Sequence, residues 1–235
     1  INMNILEASI LFPKIKIVNL GSSCIYPLDA ENPIEESSIM TGKLEPTNSP
    51  YAMAKLSAIE IGDAIVQEYG HSITNLMPTN LYGPGDNYHP DNSHVIPALI
   101  RRFHEAKLAA DPCVTVWGSG SPRREFLFVE DLADACIFVL ENINQREKEF
   151  ENNWLNVGSE FEISIKDLAI KISKIIGFDG EIIWDLSKPD GTPRKKLDTS
   201  ILENMGWKAK TNLNDGIAIT YKNYLNELEN NSLRY

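Results

Sequence analysis

Lys14-Ile-Lys-Ile-Val-Asn-Leu20 runs directly into Gly21-Ser22-Ser23. A short apolar run that ends at a glycine reads as a buried parallel strand. The next signposted element is a helix. Ser49 suits its N-cap, Pro50 its first position and Gly70 its C-terminal stop. Ile73–Met77 then reads as a second strand, ending in the loop Pro78-Thr-Asn-Leu-Tyr-Gly-Pro84. Strand, crossover helix and strand predict an α/β fold with a mostly parallel sheet. Such sheets bind ligands at the carboxyl ends of their strands. Ser22-Ser23-Cys24 and Thr79-Asn80 both follow strands and so are placed to line a site.

The same reading extends down the chain. Asp86–Ser93 is a loop, and Val95–Ala110 is a helix carrying Arg101, Arg102 and His104. Val114–Trp117 and Glu125–Val129 read as two strands joined by a turn, Gly118-Ser-Gly-Ser-Pro122. That run is not G-x-G-x-x-G and opens no helix. Glu130–Glu141 reads as a helix and Leu155–Val157 as a short strand. Ser164 starts an amphipathic helix with Ile165, Leu168, Ala169, Ile172, Ile175 and Ile176 on one stripe, stopped at Gly177. Glu181–Asp185 is a strand. A last helix from about Asn214 carries Ile217, Tyr221, Tyr224 and Leu228, and the residues from Glu229 on read as a frayed tail.

Composition bounds the function. The 235 residues are 43% apolar and 23% charged, which excludes a wholly disordered chain. No run approaches the ~18–20 apolar residues of a membrane helix. Ile1–Leu20 is interrupted by Asn2, Asn4, Glu7, Pro13, Lys14 and Lys16, unlike a secretory signal. A net charge of −11 argues against a nucleic-acid partner. Cys24, Cys113 and Cys136 are odd in number and lack CxxC spacing, which points to a reducing, cytoplasmic setting. His71, His89, His94 and His104 lack metal-ligand spacing with cysteines or carboxylates.

Tyr51 and Lys55 are four residues apart and share a helix face. An ammonium beside a phenol favours the phenolate, so such a tyrosine can give or take a proton near neutral pH. A hydroxyl from Ser22 or Ser23 would hydrogen-bond the same reacting oxygen. The spacing alone arises by chance, and its bland reading is a solvated helix pair. Cys24 is equally an apolar filler, and His94 equally sits in the N-cap region of the following helix.

Five segments together carry a resemblance. They are Gly21-Ser-Ser-Cys-Ile-Tyr-Pro27, Glu45-Pro-Thr-Asn-Ser-Pro-Tyr-Ala-Met-Ala-Lys55, Met77-Pro-Thr-Asn-Leu-Tyr-Gly-Pro84, Asn92-Ser-His-Val-Ile-Pro-Ala-Leu-Ile-Arg-Arg102 and Lys188-Pro-Asp-Gly-Thr-Pro-Arg-Lys195. The chain resembles the extended short-chain dehydrogenase/reductase family. Within it, the resemblance is to the branch that converts GDP-4-keto-6-deoxy-D-mannose by 3,5-epimerisation and NADPH-dependent 4-reduction. It implies Ser22, Tyr51 and Lys55 as the reductase set, with Cys24 and His94 as the acid and base of epimerisation. It implies a cofactor lined by Leu20, Gly21, Ser22, Ser23, Tyr51, Lys55, Pro78, Thr79, Asn80, Leu81 and His94. It implies a nucleotide sugar held by Asn80, Arg102, Trp117, Arg124, Lys188 and Asp190, and a homodimer with no membrane partner. One member of each doublet, Arg101–Arg102 and Arg123–Arg124, reads as a surface residue.

The resemblance also sets an expectation for organisation. The family's N-terminal Gly-x-x-Gly-x-x-Gly is not in this sequence, which is expected to open in the helix before the fourth strand of the dinucleotide domain, near Asn2–Ser9. The expected fold is thus an incomplete Rossmann-like parallel sheet, its first half missing, with a smaller α/β substrate-binding domain. The expected division is 1–85 with 126–158 for the dinucleotide domain, and 86–125 with 159–235 for the nucleotide-sugar domain. Two other readings remain open: another nucleotide-sugar epimerase or reductase, and a catalytically silent binding fragment.

Overall fold

In chain order the elements are α1 (Asn2–Ser9), β1 (Lys16–Leu20), α2 (Ser49–Tyr69), β2 (Ser72–Pro78), β3 (Asn80–Tyr82), α3 (Val95–Ala109), β4 (Cys113–Trp117) and β5 (Arg123–Phe128). They continue with α4 (Val129–Arg146), β6 (Trp154–Val157), β7 (Glu162–Ser164), α5 (Ile165–Ile176), β8 (Glu181–Asp185), β9 (Arg194–Lys195), α6 (Ser200–Asn204) and α7 (Leu213–Glu229). The structure, a computed structural model, describes residues 1–146 and 153–235. It forms two compact units. One comprises Ile1–Thr79, Asp131–Glu160 and Lys196–Ala209; the other comprises Asn80–Glu130, Phe161–Lys195 and Lys210–Tyr235.

The first unit is a parallel sheet in the order β1-β2-β6. Its register sets Ile17 beside Ile73 and Leu20 beside Leu76. β2 sits between two strands and is buried from Ile73 to Pro78. β1 reads in the sequence as a buried strand, yet it is half-buried, with Lys16 and Leu20 exposed. The reason is positional: among the described residues β1 has a strand neighbour on one side only. α2 lays Ala52, Leu56 and Ile59 against this sheet at i, i+4 and i+7, joined by Ile25, Tyr26, Ile34, Met77 and Leu197. Gly70 ends α2 in the left-handed conformation, where a Cβ would be strained. Ser49 is already helical. The N-cap is Asn48, reached through a 3₁₀ turn at Pro46–Asn48 that Glu45 caps by accepting the Thr47 N–H.

In the second unit β5 pairs with β3 in parallel, with β7 antiparallel and with β9 in parallel. β4 pairs in parallel with β8 instead. Gly118–Pro122 is therefore a connection between two sheets rather than a turn joining paired strands. The core is Phe103, Ile100 and Leu99 of α3 packed on Leu168, Ala169, Ile172 and Ile176 of α5, with Phe126, Phe128, Ile217 and Tyr224 around them. α5 is N-capped as its sequence predicts: the Ser164 Oγ accepts the Asp167 N–H at 3.0 Å.

The division of the chain differs from the expected one at its seams. Asn80–Gly85 and Phe126–Glu130 lie in the second unit because β3 pairs with β5 there. Lys196–Ala209 lies in the first, where Leu197 bridges to Ile34 and the Trp207 Nε1–H donates to Asp134. The tail is not frayed: the Tyr88 N–H donates to the Arg234 carbonyl at 2.9 Å. Among the described residues no helix is long and apolar enough to cross a membrane.

Candidate functional site

At the end of β1 the Gly21 N–H continues the ladder by donating to the Leu76 carbonyl at 2.8 Å. A Cβ on Gly21 would meet the Met77 Sδ at 2.3 Å, so the close approach of β1 and β2 here requires glycine. Ser22 then adopts an extended conformation, and its Oγ accepts the Cys24 N–H at 3.2 Å, capping a 3₁₀ turn over Ser23–Ile25. That bond uses a lone pair and leaves the hydroxyl proton free to donate. Ser23 is buried, whereas Ser22 and Cys24 are half-buried. Of the two serines, Ser22 is thus the more open. Ile25 and Tyr26 anchor the turn in the core, and the Tyr26 hydroxyl donates to the Asn156 Oδ1 at 2.6 Å. Burial pushes the Tyr26 phenol far up, so it stays a donor.

α2 presents Tyr51 and Lys55 beside its buried stripe. The Lys55 Nζ lies 5.8 Å from the centroid of the Tyr51 ring and donates to the Leu20 carbonyl at 2.7 Å. The ammonium is therefore pinned to the carboxyl end of β1, with the phenol 47% exposed beside it. This is not a pair dissolved in solvent: one member is fixed by a backbone carbonyl 35 positions away. Pro78 ends β2, and Thr79 is buried with its N–H donated to the Val157 carbonyl at 3.0 Å.

The second unit brings together most of the residues expected to hold a nucleotide sugar. Asn80, Trp117, Arg124 and Asp190 line a cleft of about 260 Å³, with Pro122, Phe126 and Ile165 among its apolar walls. Trp117 is 60% exposed and carries two cations over its ring, the Arg102 guanidinium at 5.6 Å and the Lys188 Nζ at 5.2 Å. Asp190 accepts the Ser119 N–H at 2.9 Å and the Ser119 hydroxyl at 2.6 Å, which hold its carboxyl below the usual range. A Cβ on Gly118 would meet the Asp190 Oδ1 at 2.5 Å. Asp190 thus fixes the Gly118–Ser121 turn at the cleft. The Asn80 amide donates to the Glu125 carbonyl at 2.8 Å.

Within each arginine doublet the two side chains have different partners, although Arg101 is not a surface residue, its side chain being only 11% exposed. Arg101 pairs with Glu105 at 2.7 Å, and Arg102 covers Trp117. Arg123 pairs with Glu162 at 3.1 Å, and Glu162 also pairs with Arg194 at 2.8 Å. Arg124 lines the cleft, and its Nη1 donates to the Arg123 carbonyl at 2.8 Å. Burial depresses its basicity, the signature of a cation with too little compensating charge. His94 is exposed at the N-cap position of α3 and makes no side-chain capping bond.

Sequence reasoning missed several residues here. Glu125 is fully buried in β5, and a carboxylate directly before the apolar run Phe126–Val129 was the available signal. Asp86 opens the loop before His94, and its Oδ1 accepts the Asn87 N–H at 2.7 Å. Ser119, Pro122 and Gly191 sit in turns whose geometry depends on β4 and β5 joining different sheets. A larger hollow of about 690 Å³ opens on the same unit between Phe161, Ile170, Lys171 and Lys174. It contains none of the expected site residues, and its Arg123 and Glu162 are committed to each other. Among the described residues no cluster of three His, Cys, Asp or Glu is set to hold a metal ion.

Comparison with known proteins bears on this geometry. A profile of the NAD dependent epimerase/dehydratase family matches residues 1–158. The chain is 50% identical over 226 residues to a probable GDP-L-fucose synthase 1 from Oryza sativa subsp. japonica, covering 96% of this chain and 67% of the relative. It is 48% identical over 230 residues to a GDP-L-fucose synthase from Escherichia coli strain K12, covering 96% and 71%. A GDP-L-fucose synthetase structure from Naegleria fowleri, bound to NADP, matches with a TM-score of 0.87 at 27% identity, covering 100% of this chain and 73% of that one. The chain thus spans about two thirds of the length of such relatives.

Proposed function

The chain belongs to the NAD dependent epimerase/dehydratase family, and on that premise we propose that it carries out the NADPH-dependent conversion of GDP-4-keto-6-deoxy-D-mannose to GDP-L-fucose. The reaction inverts C3 and C5 and reduces C4. The observation that carries the reading is the Lys55 ammonium fixed on the Leu20 carbonyl, beside the open Tyr51 phenol and near the half-buried Ser22.

The residues at the end of β1 fit a nicotinamide and its ribose. Lys55 offers a cation, Ser22 a hydroxyl with a free proton, and exposed Leu20 an apolar face. The glycine-rich pyrophosphate turn is not among these 235 residues. When bound, NADPH supplies the hydride for C4. Tyr51 gives its proton to the C4 oxygen, Lys55 orients the ribose, and Ser22 steadies the developing oxyanion by a hydrogen bond. Cys24 and His94 act on the protons α to the ketone, one removing and one returning a proton, while charge delocalised onto the C4 oxygen is held by Ser22 and Tyr51.

In the same proposal the second unit takes the GDP moiety. Arg124 meets a phosphate through its forked donors, and Trp117 with Arg102 and Lys188 covers the remainder of the nucleotide. Met3 and Ile5 on α1 and Met53 and Tyr69 on α2 are exposed apolar side chains that favour a homodimer. Competition between GDP and UDP tests the nucleotide. Tighter GDP binding, with NADPH consumed one for one with keto sugar, supports the proposal. Preference for UDP would sink it in favour of another nucleotide-sugar enzyme of the family.

A further inference from the structure

The second unit joins two of its ladders by two short connections. Residues 118–122 run from β4 to β5, and residues 186–193 run from β8 to β9. β4 pairs with β8 and β5 pairs with β9, so the connections leave one ladder side by side and enter the other side by side. Trp117 and Asp185 are register partners where they leave; Arg123 and Arg194 are partners where they arrive. Backbone bonds close both ends. The Gly118 N–H donates to the Asp185 carbonyl at 2.9 Å, and the Arg123 N–H donates to the Pro193 carbonyl at 2.8 Å. The cleft has Trp117 on the first ladder and Arg124 on the second, with Gly120, Pro189 and Gly191 of the connections also lining it.

Asp190 fastens one connection to the other between those ends. Its Oδ1 accepts the Ser119 N–H at 2.9 Å, and its Oδ2 accepts the Ser119 hydroxyl at 2.6 Å. The Ser119 Oγ in turn accepts the Ser121 N–H at 3.1 Å. The carboxylate lies so close over Gly118 that a Cβ there would meet its Oδ1 at 2.5 Å. Two cleft groups flank Asp190. Lys188 sets its Nζ 5.2 Å from the centre of the Trp117 ring, and a Cβ on Gly191 would come within 3.0 Å of the Arg124 Nη2. A carboxylate aimed into this cleft would repel a diphosphate, whereas the two donors of Ser119 turn this one towards the neighbouring connection. We propose that Asp190 and Ser119 form a latch between the two connections, and that Asp190 is thereby a positioning residue for Lys188 and Arg124 rather than a ligand of the nucleotide sugar. The inference rests on the reading of this cleft as a nucleoside diphosphate site.

Isothermal titration with GDP tests the latch in Asp190→Ala, Ser119→Ala, Ser119→Thr and the double alanine variant. Removing a negative charge alone would tighten GDP binding, so weaker binding reads position and not charge. Asp190→Ala is expected to raise the GDP Kd at least about threefold with stoichiometry unchanged, because misfolding removes sites without shifting their affinity. Ser119→Ala is expected to show part of that loss, Ser119→Thr to recover it, and the double variant to bind no worse than Asp190→Ala. A smaller rise or tighter binding in Asp190→Ala, a wild-type Kd in Ser119→Ala, or losses that multiply in the double variant would each overturn the latch. Each titration is repeated with UDP. A wild type that prefers UDP overturns the guanine reading and leaves the same cycle, run on UDP, to judge the latch. A wild type that binds neither overturns the reading of the cleft and the positioning role with it. Amide hydrogen exchange reads the latch in the free protein. Residues 118–121 are expected to exchange at least about threefold faster in Asp190→Ala, and unchanged exchange there overturns the latch whatever the ligand.

Discussion

Replacing Arg124 with glutamine is expected to weaken GDP binding between about tenfold and about 150-fold. Arg124 is half-buried in the cleft, and burial already depresses its basicity. Its neighbour Arg123 has Glu162 as a partner, whereas Arg124 donates its Nη1–H to the neutral carbonyl of Arg123. A phosphate arriving at such a cation restores charge that burial has stripped of water. Hydrogen bonds to charged groups contribute about 1.5–3 kcal/mol, and each ~1.4 kcal/mol is tenfold in affinity. Glutamine keeps the stem and some polarity but removes the charge and the fork. Isothermal titration of GDP reads the loss, and guanosine serves as the control because it has no phosphate. Arg124→Lys is expected to fall between the two, keeping charge without bidentate geometry. A GDP Kd within about twofold of wild type in Arg124→Gln, or an equal loss for guanosine, would refute the assignment of this arginine to phosphate.

Four further outcomes are expected. Tyr51→Phe should lower the rate of C4 reduction by about 10²–10⁴ with GDP affinity unchanged, read by stopped-flow loss of NADPH absorbance. Glu36, buried 4% exposed with its Oε1 accepting the Asn156 N–H, has its carboxyl raised by burial. The folded state therefore holds that proton to a higher pH than the unfolded chain does. Its contribution to stability falls as pH rises through and above the ordinary carboxylate range, and Glu36→Gln should flatten that part of the denaturation profile. Tyr88→Phe removes a buried hydroxyl that has no hydrogen-bond partner among the described residues and should leave stability unchanged or raise it by up to about 1–3 kcal/mol in urea melts. Gly216→Ala would bring a Cβ to 2.1 Å from the buried Tyr82 hydroxyl and should destabilise the second unit by about 1–3 kcal/mol in the same assay.

Elements with strong local signals were legible in the sequence. α5 shows an apolar stripe, a serine cap and a glycine stop, and it folds within the bounds these set. β1, β2 and β8 fall within a residue or two of their apolar runs. β3 was hidden because its three residues lie between Pro78 and Pro84, which read as a turn, while its pairing with β5 is a long-range event. β4 and β5 looked like partners because a glycine-rich linker joins them, yet β4 is claimed by β8, more than sixty positions on. The C-terminal residues looked frayed because nothing local orders them; their order comes from the Asp86–Asn92 loop. At the site, helical spacing put Tyr51 and Lys55 on one face, but that spacing arises by chance, and it was the resemblance of five segments that singled the pair out. The bond from Lys55 to Leu20 and the gathering of Trp117, Arg124 and Asp190 around one cleft required the fold.

The most direct measurement is a single product analysis. The chain is incubated with GDP-4-keto-6-deoxy-D-mannose and NADPH in D2O, and the product is read by proton and deuterium NMR. The expected product is GDP-L-fucose with solvent deuterium at C3 and C5 and protium from the cofactor at C4. A product reduced at C4 with solvent deuterium at neither C3 nor C5 would contradict the epimerase half of the assignment, and with it the roles of Cys24 and His94.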